Sequence, residues 1–397
     1  MRRVEYLVAS ALLRAAGRAF SLLPVRRRVV LATARTATLE GNLAFIDRAL
    51  AARDPGVPRV RLLEPYSYGL RGRIAYLARL VRGMYLLQTS RLFVVDNAYL
   101  PIHVARHRPS TTVVQVWHAA GALKRFGLDA PATVGPIERR FIHRNYDYVV
   151  VGGDAARPAY ASALRTPVDR VLPLGSPRTD FFFDADALAA ARGRVIERHP
   201  TLDGRRVVLY APTFRGRGAG KRAAPGIDAE RLRALLPPEY ALVLKTHPNL
   251  APAATSVAGY DVVVDPIAEI NEVLAATDVL VTDYSSSIFE WALLRRPLVL
   301  VVGDLDTYER APGLYVDYRT EMIGTRVRDT DGVAHAILDG SFDLSGYDDF
   351  IARHLGACDG HASARFAARF LPIAANAVTE RTFSAGTDVL RADVSHE

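Results

Sequence analysis

With 397 residues, 50% of them hydrophobic and 23% charged, the chain has the balance of a two-domain globular protein and not that of a disordered one. Its single cysteine, Cys358, excludes an internal disulfide framework and any cysteine-based metal cluster, and fits a reducing compartment. The formal charge of +9 excludes a nucleic-acid surface spread over the fold: Arg2, Arg3, Arg14, Arg18, Arg26, Arg27 and Arg28, against Glu5 alone, put +6 of it in residues 1–28.

Residues 3–23 read as a helix with a polar stripe at Arg3, Ser10, Arg14, Gly17, Arg18 and Ser21. Leu7, Val8, Ala11, Leu12, Ala15, Ala19, Phe20, Leu22 and Leu23 fill its other side. The apolar run from Tyr6 to Leu13 is too short to span a bilayer, and no clear small-residue cleavage site follows it. Such a basic amphipathic helix either packs on its own domain or lies in the interface of an anionic membrane, so residues 1–28 are a candidate surface anchor.

From Val29 onward short β-rich runs alternate with helical ones. Strands are expected at Val29–Ala32, Val60–Glu64, Leu92–Asp96, Thr112–Trp117, Tyr148–Gly152 and Val171–Leu174, with helices at Asn42–Ala52 and Arg73–Leu87. A helix from Asp184 to His199 then precedes a second series of strands: Val207–Ala211, Ala241–Lys245, Val262–Val264, Val279–Thr282 and Leu298–Val302. This alternation predicts parallel sheets covered by helices, an α/β fold of two Rossmann-like domains facing a cleft. The expected limits are 29–184 and 185–370, with 371–397 the end of a last helix and a polar tail. Residues 216–226 read as a mobile loop and lack the glycine spacing of a Walker motif.

The chemistry gathers where strands end, which is where open α/β sheets bind ligands. Asp283-Tyr284-Ser285-Ser286-Ser287 lies between the strand at 279–282 and a helix containing Glu290. Three serines there read either as an over-capped helix or as an anion site at a helix amino terminus. Val116-Trp117-His118 and Lys245-Thr246-His247 put one histidine in each half, Ala211-Pro212-Thr213-Phe214-Arg215 ends a strand with a cation, and lysine occurs only at Lys124, Lys221 and Lys245. A compact ammonium, used that sparingly, points to a required role. Together these residues describe a phosphate-handling cleft. Asp184-Ala185-Asp186 reads as a helix cap and Asp329-Thr330-Asp331-Gly332 as a turn, so neither Asp-x-Asp pattern demands a metal.

The ordered series of these motifs resembles the CDP-glycerol glycerophosphotransferase family, the teichoic-acid primases and polymerases, over roughly residues 90–370. Its marks are Gln115, Trp117, His118 and Lys124, then Gly175-Ser176-Pro177-Arg178-Thr179-Asp180, Ala211 to Arg215, Lys245 to Pro248 and Thr282 to Ser286. Arg296-Pro297-Leu298, Asp304 to Tyr308, Gly313 to Tyr318 and Asp359 to Ser363 continue in the family's order. The family often has Gly-Thr-Pro-Leu-Lys after Trp-His, whereas Ala119-Ala120-Gly121-Ala122-Leu123-Lys124 is one residue longer and lacks the threonine hydroxyl.

The resemblance implies a GT-B-like fold and transfer of glycerol phosphate from CDP-glycerol to a hydroxyl of a lipid-linked acceptor, releasing CMP. It implies a peripheral protein on the cytoplasmic face of the cell membrane, with no nucleic-acid partner and no cofactor or metal. On this reading His118 is the base that activates the acceptor. His247, Arg215, Ser285, Ser286 and Ser287 hold the phosphates, Lys124 and Lys245 supply further charge, Asp283 orients the site, and Glu290 takes the ribose hydroxyls. The turn holding Arg178 and Asp180 either joins the cleft or is structural. Alternatives are another CDP-polyol donor such as CDP-ribitol, a nucleotide-sugar transferase or epimerase, or a membrane-surface nucleotide- or polymer-binding protein without catalysis.

Overall fold

The computed structural model describes residues 3–63, 70–130, 138–216, 224, 226–246 and 257–375. The first half of the chain runs α1 (Arg3–Phe20), β1 (Arg26–Thr33), α2 (Gly41–Arg53), β2 (Arg59–Leu63), α3 (Leu70–Thr89), β3 (Ser90–Val95), α4 (Leu100–Val104), β4 (Thr112–Gln115), β5 (Tyr148–Val150), α5 (Arg157–Ala163) and β6 (Val171–Leu172). A 3-10 segment, Pro177–Phe183, leads out of it. The second half runs α6 (Ala185–Arg198), β7 (Arg206–Tyr210), α7 (Ala229–Leu235), β8 (Tyr240–Lys245), β9 (Val262–Val264), α8 (Ile270–Ala276), β10 (Val279–Thr282), α9 (Ser287–Leu294), β11 (Leu298–Val301), α10 (Leu305–Arg310), β12 (Thr325–Val327), α11 (Thr330–Leu338), α12 (Tyr347–Leu355) and α13 (Ala362–Ala375).

Each series forms one six-stranded sheet, ordered β2-β1-β3-β4-β5-β6 and β12-β11-β10-β7-β8-β9, and every strand pair is parallel. Central strands such as Val279-Leu280-Val281-Thr282 are buried on both faces, as valine-rich strands covered by helices must be. The order reverses between β1 and β3 in one sheet and between β7 and β10 in the other. Those two switch points open the crevices in which α/β sheets hold ligands.

Two placements differ from the sequence expectation. α13, assigned to the second domain by its position, packs on the first sheet. Phe366, Phe370, Leu371 and Ala374 share a core with Val29, Leu31, Leu92 and Val94. The helix offers one long apolar face, and the first sheet offers the surface that fits it. The first helix is also turned over. Ser10, Leu13 and Gly17 face inward, Leu13 joining the core with Leu80 and Met84, while Leu7 (47%), Val8 (62%) and Leu12 (43%) stand exposed. Gly17 permits this, since a Cβ there would lie 3.1 Å from Met84 Sδ. Asp184 caps α6 by accepting from the Ala187 amide; Asp329, read as a turn residue, caps α11 through the Gly332 amide. The loop expected at 216–226 lies outside the described residues except for Gly216, Ala224 and Gly226.

Candidate active site

The carboxyl ends of β7 and β10 carry a tightly bonded cluster. Asp283 is buried and accepts from the Thr213 amide (2.8 Å) and hydroxyl (2.9 Å). Arg215 reaches Asp283 (2.8 Å) and Asp304 (2.8 Å) and donates to Thr213 through its remaining nitrogen. A guanidinium has five N–H donors, and these contacts occupy all of them. The same group lies 5.2 Å and 4.8 Å from the Tyr284 and Tyr308 ring centres. Burial works against its charge, but bonds to the two carboxylates outweigh this and raise its pKa. Arg215 as placed is therefore the keystone of the β7–β10 crevice, its positive charge already matched by acids on both sides. Asp304, 89 positions away, had no role assigned from sequence.

The serines stand at the entry of α9. Ser285 Oγ accepts from the Ser287 amide (3.3 Å) and is hydrogen-bonded to Ser287 Oγ (2.8 Å), while Ser286, the N-cap, makes no side-chain cap bond. The hydroxyls and first-turn amides thus sit together at the positive end of the helix dipole. Every residue of α9 from Ser287 to Leu293 is buried, including Glu290. Glu290 Oε1 accepts from Arg178 Nε (3.0 Å) and Nη2, and its Oε2 has no partner among the described residues. Arg178 thus spends its guanidinium on Glu290, and Asp180 caps α13 through the Ala362 and Ser363 amides (2.9 Å each).

Lys245 donates to the carbonyls of Asp265 (3.3 Å) and Pro266 (3.0 Å), which fixes the loop before α8, and burial lowers its pKa to about 8. Lys124 comes from the other domain, with its ammonium 5.7 Å from the Tyr308 ring centre. Burial lowers its pKa to about 8; Asp283 opposes this and Arg215 adds to it. Its segment is stitched across the domains by an antiparallel bridge: Arg125 N–H donates to Gly313 O (3.0 Å) and Tyr315 N–H to Leu123 O (2.9 Å). Gly121, in the same loop, packs directly on the Phe289 ring of α9.

His118 follows β4 at the first sheet's crevice and is half-buried. Its ring stacks on Trp117, centroids 4.6 Å apart at 27°, and Trp117 stacks on Phe126 at 5.1 Å. Nδ1 lies 3.4 Å from the Asp96 carbonyl oxygen. A carbonyl only accepts, so this contact puts the proton on Nδ1. Asp96 itself, at the β1–β3 switch point, has its carboxyl pushed up to about 6 by burial, and its Oδ1 has no partner among the described residues. His247 lies outside the described residues. Among the described residues no three His, Cys, Asp or Glu side chains gather as a metal site, and no helix is long and apolar enough to cross a membrane.

The structure thus brings Lys124 of one domain to the Arg215–Asp283–Tyr308 cluster of the other, with the three serines at the start of α9, Glu290 buried inside that helix, and His118 in the loop that leads to Lys124. Asn42, Asp96, Asp304 and Tyr308 join them without having been singled out by sequence. Only Asp304 and Tyr308 carried a signal, as part of a motif.

Comparison with known proteins follows the same lines. The profile of a family described as CDP-Glycerol:Poly(glycerophosphate) glycerophosphotransferase matches residues 17–371. The chain is 33% identical over 358 residues to the teichoic acid ribitol-phosphate primase of Bacillus spizizenii, covering 87% of this chain and 92% of that one. It is 29% identical over 264 residues to the teichoic acid glycerol-phosphate primase of Bacillus subtilis, covering 65% and 68%. Among solved structures, the wall teichoic acid polymerase TagF superposes with a TM-score of 0.73 at 19% identity, covering 94% of this chain and 96% of that one. At that identity the likeness speaks for the fold, a GT-B-like pair of domains.

Proposed function

The chain belongs to the CDP-glycerol:poly(glycerophosphate) glycerophosphotransferase family of teichoic acid transferases, and from that membership we propose that it moves a polyol phosphate from a CDP-polyol to a hydroxyl of a lipid-linked acceptor. The observation that carries this reading is the packing of the His118 loop, through Gly121, onto the helix whose amino terminus presents Ser285, Ser286 and Ser287. On this reading a base and an anion site share one cleft.

In the proposed reaction His118 Nε2 takes the proton of the acceptor hydroxyl. The freed oxygen attacks the phosphorus that bears the polyol, and the bond from that phosphorus to the bridging oxygen breaks. The bridging oxygen leaves with CMP. Negative charge grows on the phosphoryl oxygens and the leaving phosphate, where the α9 amino terminus, Lys124 and His247 are assigned to meet it. Arg215 contributes by holding Asp283 and Asp304 in place, while Glu290, assigned to the ribose hydroxyls from its motif, is fully buried in its pair with Arg178 and acts by holding α9. The test is CMP release from purified protein with a lipid acceptor. His118→Ala is expected to lower kcat by about 10²–10⁴-fold; wild-type turnover in that variant refutes the base assignment.

The donor is the finer question. Alignment with the ribitol-phosphate primase is longer and closer than with the glycerol-phosphate primase, which favours CDP-ribitol over the CDP-glycerol implied by the sequence motifs. Comparing CMP release from the two donors decides it, and UDP release from a UDP-sugar would instead favour a glycosyltransferase.

Docking at a membrane surface is part of the same proposal. Leu7, Val8 and Leu12 on α1 and Ile74 and Leu77 on the adjacent α3 expose apolar side chains, with exposed Arg18, Arg26 and Arg27 in the same amino-terminal region. Sedimentation with anionic liposomes, weakening with salt, is expected for the wild type and lost in the triple variant L7E/V8E/L12E. Undiminished binding by that variant refutes docking through this face.

A further inference from the structure

Trp117 adopts φ +48°, a left-handed backbone that a bulky residue holds only when its surroundings enforce it. Its amide donates to Gln115 Oε1 (2.8 Å), and its carbonyl accepts from Asn42 Nδ2 (3.0 Å), which also donates to Val116 O (3.2 Å). Asn42 is buried on α2, and its other amide atom is equally engaged: Oδ1 accepts from Ser176 Oγ (3.0 Å) and from the Arg178 amide (2.9 Å). A carboxamide offers two N–H donors and an oxygen with two lone pairs, so all four positions are used and only one orientation of the amide satisfies them.

We propose that Asn42 is the positioning residue that registers the acceptor base against the donor helix. One side of its amide fixes the Val116–Trp117 backbone from which His118 projects. The other fixes the Arg178 backbone, whose guanidinium grips Glu290 on α9. Glu290 is one turn inside the helix that opens on the serines, so the chain of bonds runs from the segment bearing the base to the helix bearing the anion site. Each link is buried or half-buried, where a hydrogen bond is not replaced by water at little cost. A leucine of similar size could fill the space but could not bridge two carbonyls to two donors.

The inference rests on His118 acting as the base, and its test separates the two ideas. Asn42→Asp keeps the volume and both contacts to Oδ1 but turns an oxygen onto the Val116 and Trp117 carbonyls. Asn42→Ala removes the tie without that repulsion and serves as the second variant. Full-length wild type and both variants are compared for kcat of CMP release with acceptor present, and for donor Kd in its absence. Displacement of a reacting group by about 1 Å costs on the order of a hundredfold, so kcat is expected to fall about ten- to a hundredfold in Asn42→Asp and less in Asn42→Ala. Donor Kd is expected to stay within about twofold of wild type, because the α9 site keeps its own contacts. A purely structural role would leave kcat intact in any variant that folds and binds donor. Wild-type kcat in either folded variant, or a loss confined to donor Kd, overturns the inference alone. A wild type that releases no CMP from either CDP-polyol overturns the inference together with the reading beneath it.

Discussion

Gly121→Ala is the most direct probe of how the two half-sites meet. A Cβ at Gly121 would lie 2.5 Å from Cζ and 2.6 Å from Cδ1 of Phe289. Carbon atoms pack at about 3.5–4.0 Å, so the loop and the ring must part by roughly 1 Å or more. The ring cannot yield easily: Phe289 is fully buried, stacked on Phe350 at 5.5 Å and edged by His354 at 5.8 Å. The loop is the softer partner, and it carries His118 and Lys124. A displacement of that size costs about a hundredfold in rate, or about 2.7 kcal/mol in activation free energy, while the overpacking itself destabilises the fold by about 1–3 kcal/mol. The assay is steady-state CMP release beside thermal unfolding, with Phe289→Leu as the compensating change. We expect the double variant to regain turnover relative to Gly121→Ala, the signature of a direct contact in a double-mutant cycle. Wild-type kcat in Gly121→Ala, or a double variant no better than the single one, refutes the reasoning.

Glu290→Ala should strand the buried Arg178 guanidinium and lower stability by about 3–5 kcal/mol, whereas the paired change Arg178→Met with Glu290→Leu should recover most of it; urea unfolding compares them, and an unchanged midpoint in Glu290→Ala contradicts a dry ion pair. Lys124 is charged below about pH 8 and neutral above it, so donor affinity should weaken as pH rises through about 8. Lys124→Arg should flatten that slope, as titration of donor binding at several pH values will report; an unaltered slope removes Lys124 from the donor site.

The strands and the motifs at their ends were legible because a buried parallel strand is a run of branched apolar residues, and the chemistry follows directly in sequence. Asp283, the serines and His118 could be found in that way. Asn42 could not, since its partners lie 74, 75, 134 and 136 positions along the chain and its helix gives no sign of them. Arg215 looked like a free cation for the same reason: Asp304, which neutralises it, is 89 residues on. The first helix has enough apolar residues for either face to pack. Gly17 against Met84 decides between them, and that contact spans 67 positions. The apolar face of α13 was visible, but not which sheet it covers.

The return of α13 to the first sheet has a consequence for biosynthesis. Val29, Leu31 and Leu92 need Phe366 and Phe370 above them, yet the last strand of that sheet ends at Leu172 and α13 begins at Ala362. Ribosomes add about 5–20 residues per second, so the amino-terminal half waits roughly 10–40 s with one sheet face covered only in part, by α2. The second domain must be made before the first can close. During that interval the nascent chain presents an apolar surface that suits a chaperone, and premature termination before Ala362 would leave that face of the first sheet exposed to proteolysis.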